Sequence, residues 1–253
     1  EQPTQHQWIV AEQSLKLSQS INDLRQVFPN PPNNHDEQIT IYLSHLRQID
    51  KIHRELQQSA EDLDERPEAI EKVYSQVVSA YDTLTSEYNK AFVFAAKNTG
   101  WPPQEITSNA DTYTKHVAPA LEDRQKVAYF MVDSLRYELG VELKLQLEGD
   151  YNLELSHTGA QLPTITPVGM ASLLPDAGNI LQLKKNRDGL TPELEGDTVE
   201  TPSDRLARFQ KVLGDRVHMV KLDELKLISP DHIPDGTNLL YIRSTEIDKI
   251  AET

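Results

Sequence analysis

The sequence predicts an α/β protein in two parts, an N-terminal helical bundle followed by a domain with a mostly parallel sheet. Three observations lead there. Residues 1–118 lack Val/Ile-rich alternating runs, and their apolar residues recur three and four apart. From Lys126 onward, short apolar runs alternate with helical patterns, as expected of a sheet whose strands run mostly parallel. Between the two, VAYFMVDSLRYEL (Val127–Leu139) joins an apolar run directly to a helical pattern through one acid and one serine.

In the first part, Trp8, Ile9, Leu15, Leu17, Ile21, Leu24 and Val27 mark a helix that stops before Pro29, Pro31 and Pro32. A cleaner stripe follows at Ile39, Leu43, Leu46, Ile49, Ile52 and Leu56. A third helix is predicted over Glu68–Asn98, with Val73, Val77, Ala80, Leu84, Tyr88 and Ala91 on its buried face. Three helices joined by Pro-rich or acidic connections suggest an antiparallel bundle. The acidic connection EDLDERPE, Glu61–Glu68, reads as a solvated turn. Asn98–Pro103 ends the third helix, and the boundary between domains is placed near residue 120, giving domains 1–120 and 121–253.

In the second part, Val127–Val132 has the length and content of a buried parallel strand, and residues 135–147 those of an amphipathic helix. Further strands are predicted near Tyr151–His157, Val217–Val220 and Leu239–Arg243, with helices from Pro167 and over Asp204–Leu213. The turn Leu162–Thr166 precedes the helix at Pro167, and Asn186–Pro202, rich in Gly, Pro, Asp and Glu, reads as an exposed excursion.

Composition narrows the function. The net charge of −15, from 40 acidic and 25 basic residues, argues against a general nucleic-acid-binding surface, which is basic. There is no cysteine, so disulfides and thiolate metal sites are excluded and a reducing cytoplasm is the simplest location. No apolar run approaches the length of a membrane span, and no membrane partner is expected. The chain begins at Glu1 without a methionine and ends at Thr253 just after a strand and a helix start, so it reads as a fragment of a longer protein.

Asp133 is the leading candidate for chemistry. An acid where a parallel strand turns into a helix lies at the sheet's carboxyl edge, where open α/β sheets bind ligands. In LPTITPVGMASLLP, Leu162–Pro175, Thr166 directly precedes Pro167. As structure alone, threonine before proline is a helix cap followed by a favoured first residue. As chemistry, a hydroxyl there stands beside free N–H groups, and a divalent metal with hard ligands such as Asp133 would activate it. In LLYIRSTEIDKIAE, Leu239–Glu252, the acids Asp248 and Glu252 are four apart and share one helical face. Taken alone, surface exposure is the simpler account of that pair. Arg136 is placed to approach a phosphate or to stand as an exposed helix arginine, and His157 and His218 are lone histidines near strand ends. No Ser-His-Asp triad, Gly-rich phosphate loop or zinc-finger spacing is present.

Together VDSLRYEL, LPTITPVGMASLLP and RSTEID resemble the PglZ domain, a branch of the alkaline phosphatase superfamily found in BREX-type bacteriophage-resistance systems. The resemblance covers residues 124–253 and implies an incomplete alkaline-phosphatase-like domain. It implies two divalent ions, commonly zinc, at the carboxyl edge of the sheet, activating a Ser or Thr that attacks phosphorus. By motif, Asp133 resembles the first-strand metal ligand, and Thr166 the nucleophile and a metal ligand, with Thr164 as competing assignment. Thr164 and Arg136 stand nearest a bound substrate, and Asp248 resembles the ligand of the second ion. Glu252 stands where relatives carry histidine, and Ala251 where they carry glycine. The family's further ligands, an Asp-His pair and a later histidine, fall beyond this chain, so the zinc pair is expected in the full-length parent and only part of its site here.

The resemblance implies a metal-dependent phosphatase or phosphodiesterase acting on a phosphate ester alongside other defence-system proteins. Two alternatives stand beside it: a non-catalytic assembly module of a defence complex, docking partners through its Gln-rich helical half, and an effector module behind a signalling bundle, as in some response regulators.

Overall fold

A computed structural model of the chain describes residues 4–63, 67–187, 189–225, 227, 229 and 232–251. It divides into two compact units, one of Glu1–Pro103 with Tyr137–Leu153, the other of Gln104–Arg136 with Glu154–Thr253.

The first unit is helical. Helix α1 spans Gln5–Val27 and opens on a capping box in which the Thr4 hydroxyl accepts from the Gln7 amide while the Gln7 side chain accepts from that of Thr4. Helices α2 (His35–Ile41) and α3 (Arg47–Glu61) run on from each other through a π-helical turn, Tyr42–Leu46. Helix α4 covers Glu68–Thr99 and ends at Gly100, whose φ of 81° closes it. Val10, Leu17, Ile21 and Leu24 of α1 pack with Ile49 and Leu56 of α3 and Val77, Leu84 and Tyr88 of α4. Trp8, Leu15 and Val27 face outward instead, so the buried stripe of α1 is narrower than its apolar content. On α4, Val73 and Ala80 are exposed, and the stripe runs through Ile70, Tyr74, Val77, Tyr81, Leu84 and Tyr88. Tyr81 buries its ring on this face while its hydroxyl reaches the Asp50 carboxylate at 2.9 Å. Helix α6, Tyr137–Leu147, belongs to this unit: Glu142 pairs with Lys51 of α3 at 2.7 Å.

The second unit holds an open three-stranded parallel sheet. Strands β1 (Val127–Val132), β5 (Val217–Lys221) and β6 (Leu239–Ser244) lie in the order β1-β6-β5, with Val127 opposite Leu239 and Val132 opposite Ser244. Among the described strands β1 is therefore an edge, and only one face of it is covered: Met131 is fully buried while Phe130 is 47 % exposed. Short helices α5 (Ala118–Glu122), α7 (Thr166–Ser172), α8 (Ala177–Ile180) and the longer α9 (Pro202–Leu213) pack with the sheet around one core. Its centre is Phe209 of α9, whose ring meets those of Tyr241 at 5.0 Å and Tyr113 at 5.9 Å. Helices α10 (Leu222–Leu225) and α11 (Glu246–Ala251) follow β5 and β6 directly.

Two expectations are corrected. Residues 151–157 do not form a strand; beyond one isolated bridge at Tyr151 they join no ladder among the described residues, because no neighbouring strand lies alongside them. The stretch Asn186–Pro202 is not an excursion. With β2 (Leu181–Lys185) it forms an antiparallel sheet through β3 (Leu190–Leu194) and β4 (Asp197–Thr198), and it buries Leu194 and Val199 completely or nearly so. Glu195 and Gly196, with φ of 53° and 87°, make the two-residue hairpin turn that joins β3 to β4. No helix among the described residues is long and apolar enough to cross a membrane.

Candidate functional site at the carboxyl edge of the parallel sheet

The site begins with the β1–β6 pairing. The Asp133 amide donates to the Ser244 carbonyl at 3.0 Å, continuing the ladder one residue past β1 and fixing Asp133 at the carboxyl edge. The chain then reverses through Ser134, whose φ of 59° is left-handed. That turn brings the Ser134 amide to the Asp133 carboxylate at 3.0 Å and the Ser134 hydroxyl to the Asp248 carboxylate at 2.8 Å. Asp248 arrives from the neighbouring strand: β6 ends at Ser244, and α11 carries the acid four residues on. Adjacency of two parallel strands thus joins residues 114 apart in sequence.

Thr166 comes from a different kind of element. It is the first residue of α7, and Ile165 before it occupies the cap position, with no side-chain capping bond. The Thr166 hydroxyl instead acts on the Asp133 carboxylate, favouring its ionised form. Thr166 is thus the first residue of the helix and not its cap.

Asp133 is 8 % exposed. Burial, and then the charge of Asp248, hold its carboxyl above the usual aspartate range; the Thr166 hydroxyl, the Ser134 amide and the charge of Arg205 oppose that rise. Two carboxylates close enough to repel, one bonded by the Ser134 amide and the other by the Ser134 hydroxyl, form an electronegative corner that accepts a cation or a proton. The donors are hard oxygens, which suit a divalent ion. The donor set is nonetheless short: among the described residues no group of three or more His, Asp or Glu side chains could hold a metal ion. The described residues therefore fit part of a divalent-ion site and not a closed zinc site, which takes at least three protein ligands.

Of the residues singled out in the sequence, Asp133, Thr166 and Asp248 come together. Thr164 and Arg136 are exposed and flank the cluster along the chain. Glu252 lies outside the described residues. His218 lies near the amino end of β5, away from this edge, and His157 lies in the 152–158 stretch, which belongs to no strand. Sequence reasoning missed Ser134 and Arg205. A serine straight after a strand-terminal acid was the available signal for the first; nothing in the local sequence marks the second.

Fold and cluster define an α/β protein with an acidic, oxygen-donor site at the carboxyl edge of a parallel sheet. Residues 112–253 match the family model of the BREX system PglZ alkaline phosphatase-like domain, and the chain belongs to that family. No curated protein and no solved structure matches the chain.

Proposed function

We propose that the chain is part of a PglZ-type metal-dependent phosphatase or phosphodiesterase in which Thr166 attacks the phosphorus of a phosphate ester. The observation that carries this reading is the placement of the exposed Thr166 at the start of α7, where its hydroxyl and the charge of Asp248 both act on Asp133. A threonine hydroxyl is a weak nucleophile until its pKa is lowered, and Asp133 is placed to hold an ion that does so. Ser134 holds Asp248 so that both acids face one corner.

Asp133 would hold one divalent ion and Asp248 the second, zinc in the family, with further ligands from the full-length parent. When bound, one ion would lower the pKa of the threonine hydroxyl and the other would offset charge at the leaving oxygen. The resulting phospho-threonine would be released by water. The division into a helical module, 1–120, and a phosphatase-like module, 121–253, is retained as a proposal, as are a cytoplasmic setting and other defence-system proteins as partners.

The test is turnover of a generic phosphodiester and a monoester by the full-length protein with zinc or manganese. Thr166→Ala and Asp133→Ala are each expected to lower kcat by at least about a hundredfold while leaving the melting temperature within a few degrees. Turnover that survives in both variants would remove the phosphatase reading and leave an assembly role.

A further inference from the structure

Ser134 bonds both acids of the site at once. Its amide donates to Asp133 Oδ1 at 3.0 Å, and its hydroxyl donates to Asp248 Oδ1 at 2.8 Å. The first bond spans one residue and the second 114, so the serine ties the end of β1 to the helix that follows β6. The two acids differ in how much they need that tie. Asp133 is fixed by the sheet, through its own amide to the Ser244 carbonyl. Asp248 lies past the end of the β1–β6 ladder, in the six-residue α11, where strand pairing no longer sets its position. The like charge of Asp133 also repels it.

The hydroxyl bond sits where it adds little to stability. Ser134 is exposed, and a bond formed in contact with water replaces one that water would make. The backbone opposes the residue: its φ of 59° lies in the left-handed region, which glycine and asparagine adopt more readily than serine. Glycine there would keep the amide bond to Asp133 and lose only the hydroxyl. A strained, exposed serine whose hydroxyl is given to an acid is accounted for by the geometry it imposes, not by the energy it adds.

We propose that Ser134 is a positioning residue that acts through Asp248: its hydroxyl holds that carboxylate beside Asp133, so that the ion ligand on α11 is in place before an ion arrives. The assignment rests on the metal-dependent phosphoryl-transfer reading for the ion, and it gives Ser134 no part in the chemistry itself. Groups that orient a metal ligand affect affinity strongly without touching the metal.

The test needs no turnover. Manganese is titrated calorimetrically into the metal-free full-length protein for wild type, Ser134→Gly, Ser134→Asn, Asp248→Ala and the double variant Ser134→Gly/Asp248→Ala. Ser134→Gly is expected to lose about 10–100-fold in manganese affinity. Ser134→Asn should recover part of that loss, because asparagine accepts a left-handed backbone and its side-chain amide can donate. The double variant should bind as Asp248→Ala does, since a residue that works only through Asp248 then has nothing left to position. Wild-type affinity in a folded Ser134→Gly protein overturns the assignment, and a lowered melting temperature with that affinity intact leaves a purely structural serine. Losses in the two single variants that multiply in the double one also overturn it, as does a wild type that binds no manganese. If Thr166→Ala abolishes turnover while Ser134→Gly binds manganese normally, the serine falls and the phosphatase reading stands. If Ser134→Gly loses affinity in a protein whose wild type turns over no phosphate ester, the reverse holds.

Discussion

Asp133 is held by neighbours that want different things from it. Burial and Asp248 favour its neutral form, while Thr166, Ser134 and Arg205 favour the anion, and the first pair prevails. A carboxyl whose folded pKa lies above its unfolded value contributes stability below the unfolded pKa, about 3.9 for aspartate. That contribution is lost as pH rises through the folded value. At neutral pH the ionised side chain is therefore a liability that a cation would relieve. In chelator, Asp133→Asn should melt higher than wild type at about pH 7–8, with the gap closing as the pH is lowered toward the ordinary aspartate range. A variant that melts lower at neutral pH would show that the acid is already compensated. Ser134 belongs to the same account: it adopts a left-handed backbone that ordinarily disfavours serine, and both its amide and its hydroxyl bind the acids.

At the scale of the element, α9 determines how the site is framed. It is capped by Thr201 and Asp204 in a reciprocal box, it starts at Pro202, and it buries Arg205, Arg208, Phe209 and Leu213 along one face. Phe209 sits among Tyr113, Tyr129 and Tyr241, so truncating it leaves a cavity that three rings cannot collapse into. Phe209→Ala should cost roughly 3–5 kcal/mol by urea denaturation. A loss below about 1.5 kcal/mol would mean that the sheet face is not closed by this helix. The hairpin β3–β4 has a comparable framing role, since Glu195 at its turn is the main counter-ion of Arg208.

At the scale of the molecule, neither compact unit is continuous in sequence. The helical unit takes back residues 137–153 after the chain has already built β1, and α6 joins α3 through Lys51 and Glu142. A cut near residue 120 would leave the bundle core of α1, α3 and α4 intact and remove α6. The piece 1–120 should therefore be helical by circular dichroism but melt earlier, and over a broader range, than the helical unit of the whole chain followed by hydrogen exchange. Identical midpoints would show that α6 contributes nothing to that unit. The acidic balance of −15 acts at this scale as well, because it gives the molecule no general field that would draw in a phosphate.

The sequence alone determined the helices of the first unit, the strands β1, β5 and β6, and the identity of the three residues that meet at the site. These follow from local periodicity and from the rule that ligands gather where parallel strands end. It did not determine which apolar residues of α4 face inward, the hairpin hidden in Asn186–Pro202, the lack of a strand at 151–157, or the return of α6 to the bundle. Each of those depends on whether a neighbouring strand or helix is present to cover the segment, and that is information no local window holds. The site divides the same way. Asp133 and Thr166 stand out because of what precedes and follows them, whereas Ser134 and Arg205 matter only because strand order sets β6 beside β1 and lays α9 across both.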